Sequence, residues 1–115
     1  MTVLEYIQQI SSLIFDAKAK LSKDEKELDQ ITLAYLTSKD PRLLEQIETQ
    51  KNIVIRGYQL ISACYEDQSI KYLELASLEN DSFDKQNIIK LAGERMRLAE
   101  EATAKAKKVA DSHKS

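Results

Sequence analysis

The sequence predicts an all-α protein, an elongated antiparallel bundle of three long helices. Its 115 residues include only two glycines and one proline, far below ordinary usage. Apolar residues recur at steps of three and four, the spacing that places side chains on one face of a helix. Only two short segments carry residues that end one helix and begin the next. We therefore expect helices over residues 2–38, 41–79 and 83–110, a long helical hairpin plus a third helix.

A continuous apolar stripe defines the first predicted helix, and only Asp24 interrupts it. Ser22 and Glu25 also have the spacing of a capping box, a pattern that begins helices. The alternative is therefore a four-helix bundle with a break near Ser22–Asp24. Continuity is favoured because the stripe keeps its phase through Asp24 and no glycine or proline intervenes. The stripe consists of Val3, Ile7, Ile10, Ile14, Ala17, Leu21, Asp24, Leu28, Ile31 and Tyr35.

The boundaries of the second helix are marked at both ends. Asp40 can cap its N-terminus, and Pro41 suits a first helical position, where the missing N–H leaves no bond unmade. Asn80 is predicted to end the helix in a left-handed conformation, and Asp81 or Ser82 to cap the third helix.

The third helix carries a smaller apolar stripe that is rich in alanine. We interpret residues 1–110 as a single helical domain and residues 111–115, which include His113, as a frayed tail. The stripe consists of Ile88, Ile89, Ala92, Met96, Ala99, Ala102, Ala106 and Val109.

Short connections require neighbouring helices to run antiparallel, which also predicts their register. Counting back from the first connection places Gly57 level with Leu21. Close helix approach is the expected reason for both Gly57 and Gly93. Counting from the second connection gives three further pairs: Tyr58 with Thr103, Tyr65 with Met96, and Tyr72 with Ile89.

Apolar residues cover most of the circumference of the middle helix between residues 53 and 65. Its strongly polar positions there are Arg56, Gln59 and Ser62, which form one narrow strip. Such coverage indicates contact on more than one side, supplied by two neighbouring helices and by a partner. The candidate interface consists of Ile53, Val54, Tyr58, Ile61, Tyr65 and Tyr72.

Three tyrosines of the middle helix lie seven residues apart and belong to one heptad pattern. We call this pattern the tyrosine seam. Its rings are expected to lie on the core with their hydroxyls at the rim, and the alternative is an exposed binding strip. Both hold if the seam faces another subunit. The seam consists of Tyr58, Ile61, Tyr65, Gln68, Tyr72 and Leu75.

Catalytic chemistry has little support in the sequence, so we expect no enzyme, cofactor, metal or small-molecule substrate. Cys64 lies on an apolar surface and is expected to be a buried, unreactive thiol. His113 is the only histidine, which excludes a histidine-based triad in a rigid site. Glu100 and Glu101 are interpreted as a solvated face that pairs with neighbouring cations such as Arg97.

The charge is almost balanced overall, with a formal net of -2, but it is unevenly distributed. Residues 1–81 carry 9 basic against 14 acidic side chains, and residues 82–115 carry 8 against 5. Lys105, Lys107 and Lys108 are thus candidate contacts to an anion or nucleic acid, although nucleic-acid binding is not the primary expectation. We expect no membrane span, because no run approaches about 20 apolar residues, and a cytoplasmic location.

The sequence therefore predicts a non-enzymatic helical module for protein–protein interaction or assembly, with coiled-coil-like packing. Its expected partner is another protein or, through self-association, a second copy. The alternative is a small nucleic-acid-associated regulatory protein that uses the basic third helix.

Overall fold

The computed structural model describes residues 1–112, which form three helices joined by two short connections. The helices are α1 (Val3–Ser38), α2 (Arg42–Leu78) and α3 (Ser82–Ser112). The predicted all-α architecture and the order of its helices are confirmed. Because α1 is continuous, the four-helix alternative is wrong. Asp24 lies inside α1, where its carboxylate accepts a hydrogen bond from the Lys20 ammonium at 2.6 Å.

The first connection reverses the chain within three residues. Lys39 ends α1 in the left-handed region, at φ 57°, and its N–H donates to the Tyr35 carbonyl at 2.7 Å. Helix α2 begins at Arg42, one residue after the predicted start, with Pro41 directly before it. The Asp40 side chain supplies the predicted cap bond, since its carboxylate accepts the Arg42 N–H at 2.9 Å.

The second connection corrects the prediction for Asn80. Among the described residues, Lys39 is the only one other than glycine with a positive φ, so Asn80 is not left-handed. Glu79 instead leaves α2 in an extended conformation, and its carboxylate accepts the N–H groups of Asn80 and Asp81, both at 3.0 Å. The Asp81 carboxylate accepts the Asp84 N–H at 3.0 Å, which confirms Asp81 as the cap of α3. A left-handed residue is unnecessary because the Glu79 side chain satisfies these donors.

The last helix extends beyond its predicted end. It continues through Asp111 to Ser112, two residues assigned to the tail on sequence grounds. The rest of that tail, including His113, lies outside the described residues.

The three helices form an open antiparallel bundle with α2 in the middle. It measures 63 × 25 × 14 Å along its principal axes. Helix α2 packs against both neighbours, whereas no described Cα atom of α1 lies within 8 Å of one in α3. The core is therefore two interfaces that share α2, and a large part of each helix faces outward.

The predicted register is confirmed at both interfaces. A Cβ atom built on Gly57 would lie 3.0 Å from Leu21 Cδ1, which places these residues side by side. Between α2 and α3, the Ser62 hydroxyl donates to the Ala99 carbonyl at 2.8 Å and the Ser69 hydroxyl to the Ala92 carbonyl at 2.7 Å. Both bonds have the antiparallel offset that was predicted to bring Tyr65 level with Met96.

Two sequence interpretations of small residues need correction. Gly93 has no atom within 4 Å of a built Cβ, so close helix approach explains Gly57 but not Gly93. Ser62 is buried against α3 rather than part of a polar strip. Its hydroxyl is satisfied by the Ala99 carbonyl and by Thr103 at 2.7 Å, which allows a polar residue in the core.

Within residues 1–112, none of the three helices combines the length and the apolar character that a membrane span requires.

Candidate interaction surface

The structure buries half of the predicted interface within the chain itself. Val54, Ile61 and Tyr65 belong to the core, while Ile53, Tyr58 and Tyr72 keep part of their surface exposed. The two flanking helices cover this side of α2 because their axes lie on either side of the tyrosine seam. A partner docking on the seam would thus meet mostly covered side chains.

The tyrosines of the seam contact both flanking helices. The Tyr58 hydroxyl donates to Glu25 Oε2 of α1 at 2.9 Å. Burial, together with this hydrogen bond to a carboxylate, raises the pKa of Tyr58 to about 12. The Lys18 ammonium of α1 lies 5.2 Å from the centre of the Tyr65 ring, and the Arg95 guanidinium of α3 lies 5.9 Å from that of Tyr72. The seam is therefore structural: the Tyr58 hydroxyl is paired with Glu25, and the rings of Tyr65 and Tyr72 lie next to cations of the flanking helices.

The opposite side of α2 carries a second stripe, which the sequence interpretation missed. We call it the outer seam. Its members follow alternating steps of three and four residues, and they lie about 140° around the helix axis from the tyrosine seam at 100° per residue. The signal for it was the apolar coverage of residues 53–65, from which the residues on the tyrosine side of the helix were selected. The outer seam consists of Ile53, Arg56, Leu60, Ala63, Asp67, Ile70 and Glu74.

Large apolar side chains of this face are open to solvent. Leu60 and Ile70 are 56% and 52% exposed, and Leu13 of α1, which flanks the outer seam, is 59% exposed. Two shallow depressions lie between α1 and α2 on this face. The first has a volume of about 270 Å³ and is lined by Leu13, Ala63 and Cys64 among others. The second, of about 310 Å³, is lined by Ile53 and Leu60 among others.

Charged groups border both depressions, and the second also contains the Lys20–Asp24 ion pair of α1. Asp67 lies at the first, where its carboxylate accepts the Tyr6 hydroxyl at 2.8 Å and raises the pKa of that phenol. Arg56 lies at the second and has no carboxylate oxygen within 4.0 Å among residues 1–112. The open face thus has an apolar centre, a free cation at one end and an anion at the other.

The thiol in the first depression is poorly suited to nucleophilic chemistry. Cys64 is half-buried rather than fully buried, and burial, with a contribution from Asp67, raises its pKa. A raised pKa lowers the thiolate fraction at neutral pH, and the thiolate is the reactive form. No group of three or more His, Cys, Asp or Glu side chains within the described residues is arranged to hold a metal ion.

The lysines proposed for anion binding do not form a continuous strip on α3. Lys105, Lys107 and Lys108 are all exposed, but at 100° per residue Lys105 and Lys107 point about 160° apart. Lys105 shares a groove between α1 and α3 with Glu101. Glu101 in turn pairs with Arg97, which confirms that predicted ion pair. A polyanion approaching this groove therefore meets charges of both signs.

Comparisons of the chain with protein-family models, with curated proteins and with solved structures found no match.

Proposed function

We propose that the chain is a non-enzymatic helical interaction module that assembles with another protein through the outer face of α1 and α2. The observation that carries this proposal is the open outer seam, where Leu13, Leu60 and Ile70 are each more than half exposed on one face. Contiguous apolar surface of this kind marks interaction sites in proteins.

The energetic gain from covering this face is substantial. Burying a leucine or isoleucine side chain completely stabilises a complex by about 1.5–3 kcal/mol. Because these three side chains are already partly covered, the remaining gain is roughly half of that for each. Their sum, about 2–5 kcal/mol, is one part of the association energy, and the partner's apolar groups and the paired polar rim supply the rest. We place this assembly in the cytoplasm, a setting in which the single Cys64 stays reduced.

The alternative, binding of nucleic acid by α3, has weaker support. Its lysines diverge around the helix, and Glu101 borders the groove beside Lys105. The outer face of α1 and α2 therefore has the stronger support as the interaction site.

Photo-crosslinking in the cells that express the chain tests the proposal. A photoreactive phenylalanine analogue replaces Leu60 in one variant and Lys107, an exposed residue of α3, in the control. We expect a crosslinked protein product from position 60 and none from position 107. Equal crosslinking at the two positions, or no product at position 60, would overturn the proposal.

A further inference from the structure

We propose that the occupant of the outer face is a second copy of this chain, bound antiparallel about a twofold axis midway between Ile53 and Ile70 of the outer seam. This inference rests on the proposed function and specifies its partner. It follows from the spacing of the seam, from the order of charges along it and from the area that it offers.

The spacing suits packing against another helix. Ile53, Arg56, Leu60, Ala63, Asp67, Ile70 and Glu74 follow steps of three, four, three, four, three and four residues. A stripe with this period keeps facing a partner helix over its whole length, as in a coiled coil. The tyrosine seam shows the same period and lies between α1 and α3. In the outer seam only Ile53 and Asp67 are partly covered, and the other five members are exposed.

The seam is complementary to itself when reversed. A twofold axis between positions 61 and 62 places Arg56 opposite Asp67 of the second copy. It also places Leu60 opposite Ala63 of that copy, a large residue against a small one, and Ile53 opposite Ile70. Each of these pairs occurs twice in an isologous dimer.

The opposite orientation is disfavoured by charge. In a parallel pair in register, Arg56 would face Arg56 and Asp67 would face Asp67. Like charges directly opposite each other destabilise such contacts. Arg56 has no carboxylate partner within residues 1–112 of its own chain, so the antiparallel dimer supplies the partner that it lacks.

The area available is near the lower limit for a specific dimer. From Ile53 to Ile70 the seam spans about 26 Å at about 1.5 Å per residue, and the paired α1 and α2 present a face roughly 20 Å wide. Contact over that face buries about 1,000 Å² in total, the lower bound for a specific interface. We therefore expect reversible dimerisation with a dissociation constant of roughly 1–100 μM.

Analytical ultracentrifugation of the purified chain from about 1 to 500 μM tests the inference. The unmodified protein is expected to change from monomer to dimer across this range. Arg56→Glu places a carboxylate opposite Asp67 in both pairs and is expected to weaken dimerisation at least about tenfold. Leu60→Glu, at an exposed position, is expected to do the same. The matched control Lys107→Glu makes the same change in net charge as Arg56→Glu, away from the face, and should leave dimerisation unchanged.

Complementary charge exchange tests the antiparallel arrangement. Asp67→Arg alone places two guanidinium groups opposite each other in both pairs and should also weaken the dimer. An equimolar mixture of the Arg56→Glu and Asp67→Arg variants is expected to restore a heterodimer, because both pairs then unite opposite charges. Circular dichroism and thermal unfolding establish that each variant folds. If Asp67→Arg fails to fold because Tyr6 loses its partner, Asp67→Asn takes its place, because its amide oxygen still accepts the Tyr6 hydroxyl. Mixing Asp67→Asn with Arg56→Glu should then restore association through the one pair that unites Arg56 with Asp67.

Each outcome bears on a distinct claim. A chain that stays monomeric at 500 μM, or a dimer insensitive to both Arg56→Glu and Leu60→Glu, overturns the inference. A mixture that remains monomeric overturns the antiparallel arrangement. If the purified chain is monomeric while position 60 crosslinks a different protein in cells, the proposed function stands and the second copy is excluded as the partner.

Discussion

The side-chain amide of Gln68 in α2 donates a hydrogen bond to the main-chain carbonyl of Ile7 in α1 at 3.1 Å. The same nitrogen donates to the Ser11 hydroxyl at 2.7 Å. Gln68 is only 1% exposed, so a polar side chain lies in the middle of the α1–α2 interface. Its bonds fix the register of α1 on α2, because a shift of either helix would leave the buried amide without partners.

Gln68→Ala is expected to lower the free energy of unfolding by about 2–3 kcal/mol, since it removes both hydrogen bonds and leaves a cavity. Gln68→Leu keeps most of the volume and should cost about 1 kcal/mol less. Urea unfolding monitored by circular dichroism measures both. Gln59→Ala, at an exposed position of α2, is the control and should change stability by less than about 0.5 kcal/mol. Equal effects at positions 59 and 68 would contradict the role given to Gln68.

The α2–α3 interface depends on small residues of α3. Ala92 is buried and its carbonyl accepts the Ser69 hydroxyl, so the helices are in close contact there. Ala92→Leu forces extra volume into this contact and should destabilise the fold by about 1–3 kcal/mol. Ala104→Leu, at an exposed position of α3, is expected to be nearly neutral. Thermal unfolding of the two variants distinguishes packing from helix propensity, because both introduce the same residue into the same helix.

The two glycines are expected to respond differently to substitution. Gly93→Ala should raise the free energy of unfolding by up to about 1 kcal/mol, because alanine favours the helix and its methyl group meets no atom within 4 Å. Gly57→Ala should stabilise less, since its methyl group would lie 3.0 Å from Leu21 Cδ1 and that side chain must move. Substitution by valine should increase the difference. Gly57→Val is expected to lower the free energy of unfolding by about 1–3 kcal/mol through overpacking, whereas no overpacking is expected for Gly93→Val. Denaturant unfolding measures all four variants, and a larger gain at position 57 than at 93 would contradict this account.

Ionisation of the Tyr58 phenol is expected to make the free energy of unfolding depend on pH in the alkaline range. Its folded-state pKa of about 12 exceeds the ordinary value of about 10, so the folded state holds the phenol proton more tightly. The stabilisation is complete below about pH 10, where both states are protonated, and it is lost as pH rises through about 12. Because the ring is only half-buried, solvent screening reduces the contribution to about 1 kcal/mol.

The part of the alkaline loss of stability that is due to Tyr58 is measured by comparing the unmodified chain with tyrosine variants. Tyr58→Phe should show a shallower decline in stability between about pH 10 and 12 than the unmodified chain, as measured by urea unfolding. Tyr35→Phe, at a half-buried tyrosine of α1, serves as the control for general alkaline effects. Ultraviolet titration of the phenolates provides a second measurement, in which Tyr58→Phe removes a phenol with a pKa of about 12. Identical pH dependence in all three proteins would exclude this contribution.

The helices and their register were predictable because the signals for them are local. Asp40 and Asp81 do cap α2 and α3, and a short connection between antiparallel helices leaves little freedom in how residues align. The bonds from Ser62 to Ala99 and from Ser69 to Ala92 therefore occur at the predicted offset.

The open face of α2 was not predictable from periodicity alone. A helix that is apolar around most of its circumference has several stripes, and the angle between its two neighbours decides which one stays uncovered. That angle depends on which side chains allow close approach, as Gly57 does toward α1. The interface residues Val54, Ile61 and Tyr65 were consequently assigned to the side that the chain covers itself. The left-handed conformation predicted for Asn80 is absent, because Glu79 leaves α2 extended and its carboxylate accepts the N–H groups of Asn80 and Asp81.

The central position of α2 also determines how the fold bears mechanical load. The start of α1 and the end of α3 lie at opposite ends of a molecule 63 Å long, because three antiparallel helices reverse direction twice. Tension applied between these two points pulls α1 and α3 in opposite directions along α2. Both interfaces are then loaded in shear, with all their contacts sharing the force, instead of opening one turn at a time. The bundle is therefore expected to resist stretching along its long axis.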